Sequence, residues 1–448
     1  MPPVDASPGA RDLPFSQLDT ATITRTLGQI AEGPDLADVY FERREDIELP
    51  PEDQSLGSRV WRETGLAVRL MREGRSWLAG RDAIDRDAFH DALRRAARTM
   101  PRGPLPQLDL TVEPWREAPD LQEVQEFPSL VRRAITRHKI DAAVRLTVRR
   151  HRRWSRVLGT RLASATEHES FYSLVVEMPW GRTGGLLTEL GDAAAETVAQ
   201  NITRAHDARD APSPDSRRTV CVLGSAATAV LLHEAVAHAL EADHLALTGH
   251  PEAAIGITLG SAALNVFDDP AGAPKGVRRS ADDEGFPVVR RCLLRGGIVE
   301  QPLCDTHFAR SSERLTAGAG RRGNRHLAPT PRSTHLELAA GELATQDLLA
   351  EAEGGLYLPE AERGHLDPLT GEFFLHFPHG RRISNQLPGE SVGPSVLKGR
   401  ISDLLSKVVG VGRDLLPAGA GWCAKGGAKV PVWATVPEVR LEGVEVRP

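Results

Sequence analysis

The residues best equipped for chemistry are His233, Glu234 and His238, in the run His233-Glu234-Ala235-Val236-Ala237-His238 followed by Leu240, Glu241 and Asp243. Neutral imidazoles hold a zinc ion, and a carboxylate beside them can take a proton from the water that the ion activates. Two histidines and a glutamate this close are what a zinc hydrolase needs. The histidines, however, are five residues apart rather than four. On a regular α-helix each residue advances ~100°, so positions five apart diverge by about 140° and their rings cannot meet at one ion. Shared ligation therefore requires one extra residue in a turn, as a π-bulge or kink, and the small Ala235, Val236 and Ala237 tolerate it. The plainer alternative is two unrelated histidines on an alanine-rich helix.

Such a site needs a third protein ligand. Glu241 and Asp243 are the near candidates. Cys423 is a distant one, set in Ala420-Gly421-Trp422-Cys423-Ala424-Lys425-Gly426-Gly427, where the glycines imply a tight turn able to present a thiolate. A small buried core residue is the competing reading of Cys423. His365, His376 and His379 fall in a strand-and-turn region without ligand spacing. Asp282-Asp283-Glu284 reads as a turn and strand entry. The cluster Arg149, Arg150, Arg152, Arg153 and Arg156 reads as a solvated sheet face or hairpin tip.

The elements that must carry these residues come from a chain of 448 residues, long enough for several domains and a sizeable core. With 40% hydrophobic and 26% charged residues its composition is that of a globular protein, and a net charge of -6 gives no reason to expect nucleic acid as a ligand. Four cysteines in so long a chain are not a disulfide framework, which points to a reducing compartment, the cytoplasm by default. The N-terminus has neither the basic nor the apolar region of a secretory signal. No stretch approaches the roughly 18 uninterrupted apolar residues of a membrane span.

Along the chain, residues 1–16 are rich in Pro, Ala and Gly and are expected to be disordered. An α+β unit spans 17–102, with a helix near Asp19–Ala31, a strand at Ala37–Glu42, a hairpin pairing Gly65–Leu70 with Ser76–Ala79 around Glu73-Gly74, and a helix at Asp85–Met100. Pro101, Pro104 and Pro106 mark a linker. A second α+β unit spans 107–212, with a helix before Lys139, strands at Val144–Arg149 and within Ser164–Glu177, and a helix over Gly185–Ala208. The third unit, 217–448, opens with the strand Thr219–Leu223. Gly224-Ser225 then supplies a turn and N-cap for the histidine-bearing helix. Short strands follow, including a hairpin around Arg295-Gly296-Gly297, with one more helix near Val396–Val408. No internal repeat is visible. The fold class expected is α+β: N-terminal α/β units, then a C-terminal, mainly antiparallel β domain carrying the metal-binding helix.

The chain resembles the TldD/PmbA family of metallopeptidases, in particular the metal-bearing TldD type, over almost its whole length. The run His233 to Asp243 is similar to the family's HEAVGHGLEGD, Ala281–Gly285 to its DDEG segment, and Thr316–Arg322 to TGNGRR. Pro329–Thr334 resembles PxPRxTN with His335 in place of Asn, Leu366–Phe373 resembles VDPVTGDF, and Trp422–Lys425 with Val430-Pro431-Val432 resembles MCGKDGQ-VPV. At the front, Ala37–Phe41 is similar to AELYF and Gly65–Arg69 to GVGVR. The resemblance implies that His233, His238 and Cys423 bind Zn2+ and that Glu234 is the general base. Glu241 and Asp243 then become groups orienting the imidazoles, with a solvated helix face as their alternative. It also implies unfolded or extended peptide substrates, precursor peptides among them, cleaved in a dimer cavity. The expected partner is a PmbA/TldE-type subunit, or a second copy of the chain. A leader-peptide protease of peptide natural products and a non-catalytic partner subunit are the rival functions. Ala237, Ala239 and Ala242 replace family glycines beside the ligands.

Overall fold

A computed structural model describes residues 15, 18–30, 36–52, 57–97, 110, 118–160 and 164–448. The segment 1–16, apart from Phe15, and the linker prolines Pro101, Pro104 and Pro106 lie outside the described residues.

The first two units have the same order of elements. α1 (Thr20–Ile30), β1 (Leu36–Leu49), β2 (Arg59–Arg72), β3 (Arg75–Arg81) and α2 (Arg86–Ala96) form one. α3 (Gln122–Arg137), β4 (Arg145–Gly159), β5 (Ala165–Met178), β6 (Gly181–Leu187) and α4 (Asp192–Asp207) form the other. The repeat is invisible in the sequence because packing demands matching apolar faces, not matching residues. All six strands join in one antiparallel sheet ordered β3-β2-β1-β4-β5-β6, with β1 and β4 paired at its centre. Apolar side chains such as Phe41, Val68 and Phe89 pack the first unit, and Phe127, Leu174 and Val198 pack the second. The helix expected over Gly185–Ala208 starts only at Asp192, because Gly181–Leu187 pairs with Tyr172–Met178 of β5. Gly184 and Gly185 are poor helix formers, so the sheet edge prevails.

From Arg217 onward two further sheets form. One has six strands, ordered Ile298–Val299, Arg291–Arg295, Val266–Asp268, His335–Leu338, Ala428–Val436 and Leu416–Lys425. The other has nine, with β7 (Arg217–Leu223) in its middle and Arg363–Leu366 at one edge. Pairing is antiparallel except where His335–Leu338 meets Ala428–Val436 and where Leu356–Leu358 meets β7. The helix expected near Val396–Val408 is replaced by the strand Ser395–Arg400, paired with Glu372–Phe377, and only Ile401–Leu405 is helical. The alternating side chains of Val396 and Leu397 fit the ladder better than a helix interrupted by Gly399. Among the described residues no helix is long and apolar enough to cross a membrane.

The arginine cluster is not a solvated face. β1 sets Glu48 opposite Arg149 and Glu45 opposite Arg152 across the ladder. Arg150 and Arg153 are both buried, Arg150 beside Glu45 within the N-terminal half and Arg153 where the N-terminal sheet meets the C-terminal half. Arg153 donates to Asp283 at 2.7 Å and Glu169 at 3.2 Å, and Arg279 donates to Asp283 at 2.6 Å. Arg69 joins Asp38 at 2.8 Å to Glu284 at 2.5 Å. Asp282–Glu284 does form a turn, as its residue types predict, but a buried one: Asp282 accepts backbone N–H groups of Glu284, Phe286 and Gly320. Burial and the Glu284 charge together push Asp282 up to about 8 and the nearby Asp305 up to about 7.

Candidate metal centre

β7 leads through Gly224 into α5 (Ser225–Leu232). Gly224, not Ser225, is the N-cap, because any Cβ there would stand 2.6 Å from the Pro359 carbonyl oxygen. α5 is apolar almost all round and buried on nearly every face, as expected of a helix packed between sheets. At His233 it widens into a π-helical turn through Ala237, in which the His238 N–H donates to the His233 carbonyl five residues back. That turn absorbs the extra residue of the motif and brings the two rings together edge to face, with centroids 4.5 Å apart. A 3-10 turn over His238–Leu240 follows, and the backbone leaves the helix at Glu241.

Cys423 arrives on the strand Leu416–Lys425. A β-bulge leaves Ala420 unmatched: Gly419 faces Trp433, yet Gly421 faces Val432. Gly421, at φ +101°, adopts the left-handed backbone that this break requires. The bulge reverses the alternation, so Cys423 and Lys425 both point toward the histidine-bearing segment. Cys423 Sγ lies 3.3 Å from His238 Nε2, and the donor atoms of His233, His238 and Cys423 all fall within 4.8 Å of one another.

The electrostatics suit a cation. Burial alone would raise the Cys423 thiol, but the charge of His233 and hydrogen bonds from both histidines outweigh it and bring it down to about 5. Burial likewise opposes protonation of His238, yet Glu241 and Cys423 lift it well above the usual histidine range. A thiolate facing an imidazolium is the arrangement that a metal ion replaces, releasing the proton. His233 Nδ1 is buried with no hydrogen-bond partner. Two imidazoles and a thiolate are a donor set that zinc accepts, so the residues fit the ion.

Glu241 is fully buried, and its Oε2 sits 2.8 Å from His238 Nδ1. Burial would raise its proton affinity, but His238 and Lys425 hold it far below the ordinary carboxylate range. Among the described residues Asp243 bonds to neither His233 nor His238; it accepts from Lys425 Nζ at 2.9 Å. Glu234 makes no hydrogen bond among the described residues and lines the same cleft as His233, His238 and Cys423. This cleft, of about 1270 Å³, runs between the N-terminal sheet and the C-terminal half. Its walls include three sheet edges: β6, Leu416–Lys425 and Arg363–Leu366. The last lies against the π-turn, and a Cβ on Gly364 would stand 2.5 Å from Glu234 Cγ.

His376 and His379 pair with Glu362 and Glu360, and among the described residues neither they nor His365 join a metal-type cluster. Several contributors escaped the sequence reading. Arg332, buried, donates to the Cys423 carbonyl at 2.7 Å. His244 packs its Nδ1 2.8 Å from the His238 carbonyl. Lys425 carried one available signal: it stands two residues beyond Cys423, hence on the same face of a strand.

A histidine-and-thiolate centre on a bent helix, inside an α+β chain ending in curled antiparallel sheet, defines the class. Residues 216–448 match the PmbA/TldA metallopeptidase C-terminal domain, and the chain belongs to that family. It is 31% identical over 229 residues to the metalloprotease TldD homolog of Buchnera aphidicola, covering 50% of this chain and 47% of that one. It is 29% identical over 279 residues to a metalloprotease of Methanothermobacter thermautotrophicus, covering 59% and 58%. The chain spans about half the length of the curated relatives it matches. The crystal structure of TldE from Thermococcus kodakarensis superimposes with a TM-score of 0.74 at 16% identity, over 95% of this chain and 100% of that one. A solved Thermotoga maritima chain does so with a TM-score of 0.72 at 18% identity, over 95% and 99%. At such identities these two establish a shared fold.

Proposed function

We propose that this chain is a zinc metallopeptidase in which His233, His238 and Cys423 hold the ion and Glu234 is the general base. The convergence of these three donors beside Glu234 in one cleft is the observation that carries this reading. Zinc bound there supplies Lewis acidity, acidifying water and polarising the scissile carbonyl. The Glu234 carboxylate takes the proton of the attacking water and hands it to the leaving nitrogen. Gly364, lacking a side chain, leaves that carboxylate room. Donation from the Cys423 thiolate would temper that Lewis acidity, and a cleft walled by sheet edges would admit an extended peptide more readily than a folded protein.

The edge strand Arg363–Leu366 supports the same substrate class. Among the described residues only one of its sides is paired, with Glu372–Phe377, and it borders the cleft beside Glu234. An extended peptide adding to that edge is held by its backbone, with little demand on sequence. The chain works with a PmbA/TldE-type partner or a second copy, whose surface closes the cleft. Leu416, exposed and on the wall of the cleft, is an apolar position suited to such a contact. Four free cysteines support the reading of a reducing compartment, the cytoplasm by default.

The test is peptidase activity on unfolded peptides, with and without a PmbA-type partner, alongside zinc content. Glu234→Gln is expected to keep its zinc and lose about 10²–10⁴-fold in rate. Undiminished hydrolysis by that variant would remove the mechanism.

A further inference from the structure

We infer that Lys425 is a positioning residue for the metal centre: a tethered cation that ties the strand carrying Cys423 to the helical segment carrying His238. The inference rests on the zinc reading above. Lys425 Nζ donates to Glu241 Oε2 at 2.7 Å, Asp243 Oδ1 at 2.9 Å and the Pro331 carbonyl at 3.0 Å. These three acceptors use all three ammonium protons, so the head group has one orientation. The same Glu241 oxygen that accepts from Lys425 is 2.8 Å from His238 Nδ1, and the other oxygen of that carboxylate, Oε1, has no partner. Oε2 is therefore the single joint between lysine and imidazole. On the strand side, Cys423 and Lys425 share a face, and the Cys423 carbonyl is pinned by Arg332. The path Cys423–Lys425–Glu241–His238 closes a ring around the ligand atoms, joining parts of the chain 185 residues apart.

The second consequence is electrostatic. His238, Glu241 and His244 form another group with metal-binding spacing. The Lys425 ammonium already supplies a positive charge against Glu241, so this neighbouring cluster is filled by the protein itself and the centre takes one ion. A methionine at 425 would preserve the stem and remove both the charge and the three hydrogen bonds. An arginine would restore the charge and reach Glu241.

The experiment measures zinc affinity by chelator competition, together with the absorption spectrum of the cobalt-substituted protein, for wild type, Lys425→Met, Lys425→Arg, Glu241→Gln and Lys425→Met/Glu241→Gln. Lys425→Met is expected to weaken zinc by about 10–100-fold and to alter the cobalt bands, while the metal-free protein still folds, with a lower thermal midpoint because the buried Glu241 carboxylate has lost a partner. Lys425→Arg should recover part of the loss. Because lysine acts through Glu241, the double variant should be no weaker than Glu241→Gln alone. Wild-type affinity and an unchanged spectrum in Lys425→Met would overturn the inference while leaving the zinc reading intact. If Lys425→Met does not fold, Lys425→Ala takes its place: a loss of zinc affinity of the same size supports the inference, and wild-type affinity contradicts it. A wild-type chain that binds no zinc would overturn both.

Discussion

Each donor at the centre is held by a different kind of neighbour. His238 is oriented by a buried carboxylate at Nδ1, which directs Nε2 toward Cys423. Cys423 is fixed through its own backbone by Arg332. His233 is set by the π-turn and its contact with Cys423, with its Nδ1 unpartnered. Glu234 is free of hydrogen bonds among the described residues, as suits a group that must move a proton rather than hold a shape. Its freedom depends on Gly364. Gly364→Ala is expected to push Glu234 aside and lower hydrolysis at least about tenfold, with zinc content unchanged. Equal loss of zinc and activity in that variant would mean that Gly364 supports the fold rather than the base. At this scale the sequence was legible where residue types are rare. His233, Glu234, His238 and Cys423 stand out by chemistry and by family resemblance, whereas Lys425, Arg332 and Gly364 acquire meaning only when chain segments meet.

At the scale of elements, two irregularities build the centre. A π-turn corrects the five-residue histidine spacing, and a β-bulge at Ala420 turns Cys423 to the required face. The first follows from helix geometry, because an ideal helix separates positions five apart. The second did not follow, since a bulge depends on the partner strand's register, and that partner is 428–436. The misplaced start of α4 has a similar origin: Gly181–Leu187 is a strand because β5 is there to pair with it. Hairpins whose two strands adjoin were readable from alternation and turn residues, as with Gly65–Leu70 and Ser76–Ala79. Pairings between remote segments were not.

Across the whole molecule, the N-terminal sheet is clamped to the C-terminal half by buried ions, not by a linker. Arginines of β2 and β4 meet Asp283 and Glu284, and these acids came from a segment that reads in isolation as an ordinary turn. An acid beside this clamp retains its proton near neutrality. Asp305, pushed up to about 7 by burial and by Glu284, keeps its proton in the folded chain where an unfolded aspartate, near 3.9, has lost it. Between those values the folded state binds more protons, so stability falls as pH rises from about 4 to about 7. Asp305→Asn keeps the cap on the Phe308 N–H and removes the titration. Thermal unfolding followed from pH 4.5 to 8.5 should therefore decline less steeply in this variant. Parallel profiles for the two proteins would show that Asp305 is not protonated in the fold.

The central claim is that one ion is held by two imidazoles and a thiolate drawn from opposite ends of the C-terminal half. X-ray absorption at the zinc edge measures that directly. The wild-type protein should show one sulfur at about 2.3 Å and two imidazole nitrogens at about 2.0–2.1 Å, with the sulfur shell lost in Cys423→Ser. A zinc shell of nitrogen and oxygen alone in the wild type, or a sulfur that survives in Cys423→Ser, would contradict it.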